Sequence, residues 1–208
     1  MRIIVAMTGA TGAIYGIRLL EELTNLGVES HLVLSRWAEA TIAKETGRTA
    51  RQVALMASVL HSRDNQGAVI ASGSFRHDGM IIIPCSMKTL SAIRHGYGEG
   101  LIPRAADVTL KERRRLVLVV RETPLNDIHL ENMLALSRMG AIIAPPVPAF
   151  YSSPQTIDDL VGHTIGRVLD LFGLELLQLQ RWNGMRSNGD SRSPSERRRA
   201  VVNEESCQ

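Results

Sequence analysis

The stretch Arg2-Ile3-Ile4-Val5-Ala6-Met7-Thr8, followed at once by Gly9-Ala10-Thr11-Gly12, decides the fold. A short apolar run without polar alternation predicts a strand buried on both faces. The glycines behind it end the strand and open a tight turn. From Gly12 to Leu26, Ile14, Ile17, Leu19, Leu20 and Leu23 recur at helical spacing, and Gly27 supplies a stop. Glu29–Leu34 is the next strand, so the chain opens as strand, glycine turn, helix, strand. That order requires the two strands to lie parallel.

The same grammar continues outward. Ser35 is placed to cap a helix through Thr46, and Thr49 with Gln52 has capping-box spacing for another to about Leu60. Residues 61–77 lack a period and read as a loop with a short strand at Ala68–Ala71. Gly79–Ile83 is a central strand ended by Pro84, and Ser86–His95 and Leu101–Lys111 are helices. Arg115–Val120 is a strand, Asp127–Met139 a helix and Ala141–Ala144 a strand. After a proline-rich loop, Thr156 and Asp159 cap a helix to Phe172 whose apolar face is Ile157, Leu160, Val161, Ile165, Val168 and Leu169. The expectation is one α/β domain, residues 1–182, with a doubly wound, Rossmann-like parallel sheet. From about Asn183 the chain turns polar and loses periodicity, which predicts a disordered tail over 183–208.

Composition narrows the function classes. Aromatic residues are 4% of the 208, so the core must be aliphatic. The 24 Lys and Arg against 21 Asp and Glu give a charge of +3, too small and too scattered to argue for nucleic acid. The chain has no apolar run of membrane-spanning length, and its start reads as a strand rather than a cleavable leader. Two cysteines, Cys85 and Cys207, suit a reducing compartment, and a cytoplasmic protein is expected. Six histidines without ligand spacing predict no metal site.

A doubly wound sheet binds ligands beyond the C-terminal ends of its strands. The residues there are Gly9, Ala10, Thr11, Gly12, Ser35, Cys85, Ser86, Met87, Lys88, Thr89, Arg121, Glu122 and the loop up to Tyr151. Small residues between a strand and a helix let a phosphate reach amides at the positive helix end. Pro84-Cys85-Ser86-Met87-Lys88-Thr89 would form a second such cradle. Cys85 has no paired histidine and reads as a packed thiol. Arg121 is suited to a phosphate or ring carbonyl, and Glu122 to proton transfer. Tyr151 and Arg167 would together hold a small phosphate. The charge run from Lys111 to Arg115 reads as a solvated helix end. The first turn also looks like the dinucleotide fingerprint of short-chain reductases, but no Tyr-x-x-x-Lys pair follows.

Taken in order, MTGATGAIYGIRLL, HLVLS, AKET, PCSMKTLSAI, LIPRAADVTLKERR, LVLVVRETPLNDIHLENMLALSRMGAIIAPPVPAFY and LQRW resemble the UbiX-like flavin prenyltransferases from Met7 to Trp182. The resemblance implies a metal-free transferase that joins a dimethylallyl group from dimethylallyl phosphate to N5 and C6 of reduced FMN. The prenylated FMN would serve a partner UbiD-type aromatic-acid decarboxylase. It implies FMN contacts at Gly9, Ala10, Thr11, Ser35, Ser86, Met87, Lys88, Thr89 and Arg121, and prenyl-phosphate contacts at Tyr151 and Arg167. Glu45 and Glu122 would be the acidic residues of the active site, Thr11 would share in catalysis, and Trp182 would face an allylic cation. It further implies a homo-oligomer, commonly a dodecamer, with sites at subunit junctions. Many members carry serine where this chain has Thr11; the hydroxyl is kept and a methyl is added. Two other readings stand beside this one. A flavin-dependent decarboxylase is disfavoured because Pro124-Leu125-Asn126-Asp127 replaces the Pro-x-Met-Asn of the cysteinyl enzymes. A non-catalytic FMN carrier would bind flavin without turning over the prenyl donor.

Overall fold

The computed structural model describes residues 1–176, 179, 181, 182 and 184. The expected tail, Cys207 included, lies outside the described residues, apart from Gly184. The strands are β1 (Arg2–Met7), β2 (Glu29–Leu34), β3 (Val59–His61), β4 (Gly79–Cys85), β5 (Arg115–Val120) and β6 (Ile142–Ile143). The helices are α1 (Ala13–Asn25), α2 (Arg36–Thr46), α3 (Ala50–Ala54), α4 (Met87–Arg94), α5 (Leu101–Lys111), α6 (Asp127–Arg138) and α7 (Ile157–Asp170). All six strands are parallel, in the order β3-β2-β1-β4-β5-β6. The order reverses direction between β1 and β4, which is the switch point of a doubly wound sheet.

Alternate residues of each strand feed opposite cores. Ile3, Val5 and Met7 pack with α1 and α7, through Ile17, Leu20, Ile165 and Leu169. Ile4 and Ala6 pack on the other face with Leu90, Ile93, Leu101 and Ala105 of α4 and α5. Burial on both faces explains why the strands read as unbroken apolar runs. At roughly 1.5–3 kcal/mol per fully buried large aliphatic side chain, this aliphatic burial is the main force holding the layers.

Four expectations need correction. The helix opened by Thr49 is capped as predicted, with Gln52 answering Thr49, but it ends at Ala54. Val59–His61 then pairs with His31–Val33 as the edge strand, so pairing with β2 overrides the local signal. The strand expected at Ala68–Ala71 is a 3₁₀ turn over Val69–Ala71 that buries Ile70. Pro84 does not end β4; the strand runs to Cys85 with a register shift after Ile82. A bulge is where a sheet tolerates a residue without an N–H. Finally, Ile14 and Ile157, placed on apolar faces by spacing, are exposed. The Lys111–Arg115 run is exposed as expected except at the half-buried Arg114, which donates to the carbonyls of Phe75 at 2.6 Å and Gly73 at 2.9 Å.

The edge strand is tied to β2 by histidines. His31 Nδ1 lies 2.8 Å from His61 Nε2, and His31 Nε2 lies 2.9 Å from Glu29 Oε1, which also meets Arg2 Nε at 2.9 Å. One hydrogen bond between two ring nitrogens needs one bare nitrogen, so both rings cannot be doubly protonated. Burial and the neighbouring His31 push the pKa of His61 down, and burial pushes His77 down. Both pKa values are depressed in the folded chain, so the unfolded chain binds protons first. Their stabilisation is therefore complete above about pH 6.5 and is lost as pH falls below it. Glu29, held near 2 by Arg2 and His31, loses its contribution only below about pH 4.5. The melting temperature should therefore drop between pH 7 and pH 5, and His61→Gln should flatten that drop; an identical slope in the variant would contradict this role.

Candidate functional site

β1, β2, β4 and β5 are neighbours, so their C-terminal ends put the predicted flavin contacts side by side. The buried residue Thr8 fastens two of those ends. Its hydroxyl donates to the Pro84 carbonyl at 2.7 Å and accepts from the Ser86 N–H at 2.8 Å. The Arg121 N–H donates to the Cys85 carbonyl at 3.1 Å, which sets β5 beside them. Thr8 was not singled out from the sequence, because a buried threonine looks like any strand-end residue until its partners are known. Thr8→Val keeps the shape but leaves the Ser86 N–H without an acceptor. Urea unfolding should show a loss of about 1–3 kcal/mol, with weaker FMN binding; an unchanged midpoint would show the fastening to be idle.

The first turn takes its shape from close packing. A Cβ on Gly9 would collide with the Cβ of Trp37 at the start of α2, and Gly12 has φ +103°, which side chains rarely adopt. Thr11 is exposed beside it. The Thr11 hydroxyl donates to Glu45 Oε1, while Glu45 Oε2 accepts from the N–H groups of Gly12 at 2.9 Å and Ala13 at 2.8 Å. The anion at the positive end of α1 is therefore the Glu45 carboxylate, from the end of α2. This corrects the reading of the first turn as a cradle for phosphate, since the amides of Gly12 and Ala13 are already taken. It also brings together Thr11 and Glu45, residues that only the family resemblance had linked.

The remaining donors are still available to a ligand. Ser35 caps α2 by accepting from the Ala38 N–H at 3.0 Å, and Ser86 caps α4 by accepting from the Thr89 N–H at 3.4 Å. Ser35 keeps a hydroxyl proton to donate, and the Ser86 and Thr89 hydroxyls, 3.2 Å apart, spend one proton on each other and keep one between them for a ligand. Lys88 and Arg121 are exposed, and the Met87 side chain is buried in the core. Two helix N-termini, three hydroxyls, an ammonium and a guanidinium are a donor set that fits a phosphorylated flavin. Glu122 is exposed at the end of β5, with Oε1 accepting from the Thr123 N–H at 3.1 Å. Cys85 is fully buried, and burial pushes its thiol up to about 12, so it is a packed thiol and no nucleophile.

A second group forms around the end of α7. Tyr151 lies in a 3₁₀ turn over Phe150–Ser152, and its hydroxyl is 2.8 Å from His163 Nε2. Trp182 meets the Tyr151 ring edge-on at 5.6 Å. Arg167 pairs with Asp170 at 2.7 Å, and Arg181 forks onto both oxygens of the same carboxylate at 2.7 and 2.9 Å. These cations, Arg181 first, hold Asp170 below the usual carboxylate range. Tyr151 and Trp182 are thus in contact, with His163 as a third member, while Arg167, one turn beyond His163 on α7, forms its own set with Asp170 and Arg181; His163, Asp170 and Arg181 are members the sequence did not reveal. Among the described residues no hydrogen bond, ion pair or ring contact joins this group to the strand-end group.

Comparison with known proteins follows the same lines. The protein-family model named Flavoprotein matches residues 1–169. A relative in Streptomyces sp. (strain D7), named "Probable UbiX-like flavin prenyltransferase", is 62% identical over 188 residues, 90% of this chain and 94% of its own. The crystal structure of AnUbiX in complex with FMN and dimethylallyl pyrophosphate is similar with a TM-score of 0.88 and 57% identity, covering 89% of this chain and 98% of that one. A dodecameric FMN-dependent UbiX-like decarboxylase from Escherichia coli O157:H7 is similar with a TM-score of 0.87 and 60% identity, covering 88% of this chain and all of that one. Similarity of this degree, over nearly the whole described fold, makes the chain a member of the UbiX-like flavin prenyltransferases within the flavoprotein family.

Proposed function

We propose that the chain joins a dimethylallyl group from dimethylallyl phosphate to N5 and C6 of reduced FMN, making prenylated FMN for a UbiD-type decarboxylase. The observation that carries this reading is the 57% identity to a structure whose ligands are FMN and a dimethylallyl donor. Reduced FMN, when bound, supplies an electron-rich ring to attack. Ser35, Ser86, Lys88, Thr89 and Arg121 would hold its phosphate and ring, with Gly9, Ala10 and Met87 offering backbone. Thr11 and Glu45 shape the crevice wall beside it. Tyr151 and Arg167 would take the phosphate of the donor, and the face of Trp182 would steady positive charge on the departing prenyl group. Because the donor carries its own leaving group, the chain's task is to orient two substrates and to exclude water.

The two residue groups stand apart in one chain, which supports sites completed between copies. The exposed apolar residues of α6, Ile128, Leu130 and Leu134, support assembly as well, as do the exposed Leu125 just before it and Val147 and Phe150 in the loop after β6. We take the assembly to be a dodecamer like the relative from Escherichia coli. We take residues 1–182 as the working domain and the cytoplasm as its place, on the strength of the cysteine content. No described helix is long and apolar enough to cross a membrane.

The test is a handover. The chain is incubated anaerobically with reduced FMN and dimethylallyl phosphate, and a protein-free filtrate is added to an apo UbiD-type decarboxylase. Carbon dioxide release from the aromatic acid should require both the chain and the prenyl donor. Activation without the donor would make the chain an FMN carrier, and release of carbon dioxide from 4-hydroxybenzoate by the chain alone would make it a decarboxylase.

A further inference from the structure

We propose that His163 is a positioning residue of the prenyl-phosphate site: its Nε2, 2.8 Å from the Tyr151 hydroxyl, decides where the phenol proton points and so whether Tyr151 can donate to a phosphate. This rests on the reading of Tyr151 as a phosphate contact. A phenol has one proton. When Nε2 is bare, the phenol donates to the ring and turns only lone pairs toward an anion. When Nε2 carries the hydrogen, the ring donates and the phenol proton is free for the phosphate. A neutral imidazole has both tautomers, so the change needs no net gain of a proton.

The surroundings favour this arrangement. His163 and Arg167 are four residues apart on α7, on one helix face, so ring and guanidinium approach the same space. The Tyr151 ring is packed edge-on by His163 at 5.4 Å and by Trp182 at 5.6 Å, so the ring is held on two sides while its proton can move. Burial and the nearby Arg167 lower the pKa of His163, outweighing the opposite pull of Asp170, which keeps the ring neutral near pH 7. The other charged groups around it are Arg181 on Asp170, Glu175, Asp158, Asp159, and Arg18, Glu21 and Glu22 of α1, across a cavity of about 690 Å³.

The test measures dimethylallyl phosphate binding and turnover in the FMN-loaded protein. His163→Leu leaves the phenol proton free but no longer aimed, so binding should weaken by about five- to tenfold, with FMN affinity unchanged. His163→Gln, whose amide N–H can reach the same oxygen, should stay within about threefold of the native chain. Tyr151→Phe, which removes the donor itself, should cost at least as much as His163→Leu, and the double variant should be no weaker than Tyr151→Phe alone. If the leucine variant does not fold, His163→Asn, polar but too short to reach, takes its place. Equal damage from the leucine and glutamine variants, or additive losses in the double variant, would overturn the role of His163. A Tyr151→Phe variant that binds normally would instead overturn the assignment of Tyr151 to the phosphate, and this inference with it.

Discussion

A chain carrying Glu122→Gln should bind FMN nearly as well as the native chain but transfer the prenyl group about 10²–10⁴-fold more slowly. Forming a bond at flavin C6 displaces the hydrogen that the carbon carries, so a base must receive it. Glu122 stands at the end of β5, next to Arg121 and one strand from the Ser86–Thr89 turn. Its Oε1 is steadied by the Thr123 N–H at 3.1 Å, while among the described residues no hydrogen bond reaches the other oxygen. Glutamine preserves size and that hydrogen bond but cannot take a proton. The flavin contacts reside in other residues, so binding should survive. Single-turnover kinetics with reduced FMN decide the matter, and an unchanged rate would leave Glu122 as a strand-end residue only.

Arg167→Ala should weaken dimethylallyl phosphate binding by roughly 10–150-fold, the worth of a charged hydrogen bond of about 1.5–3 kcal/mol. Arg167 gives one N–H to Asp170, but Arg181 engages both oxygens of that carboxylate. Asp170 is thereby largely neutralised by Arg181, and the half-exposed Arg167 keeps donors for a ligand. FMN affinity should change little, whereas Arg121→Ala should weaken FMN first. Titration of each variant with each ligand checks the division, and loss of FMN binding in Arg167→Ala would contradict it.

The sequence carried the sheet well because buried parallel strands and capped helices are local signals. Glu29–Leu34, Leu101–Lys111 and Arg115–Val120 occur with the bounds expected. Ser35 and Thr156 cap as their spacing required. What failed depends on partners distant in sequence. Val59–His61 is a strand only because β2 lies beside it, and Pro84 is tolerated because β4 bulges there. The site divides in the same way. The strand-end residues follow from topology, but the union of Thr11 with Glu45, 34 residues on, is a tertiary fact that no spacing rule supplies. His163 is a lone histidine on a largely apolar helix, ordinarily read as packing, and the 3₁₀ turn carrying Tyr151 gives it a role.

Anaerobic incubation of the purified chain with reduced FMN and dimethylallyl phosphate, followed by mass spectrometry of the extracted flavin, tests the central claim most directly. The account predicts an FMN whose mass has grown by one prenyl unit, formed only when chain and donor are both present. Recovery of unchanged FMN from a chain that binds both ligands would contradict it.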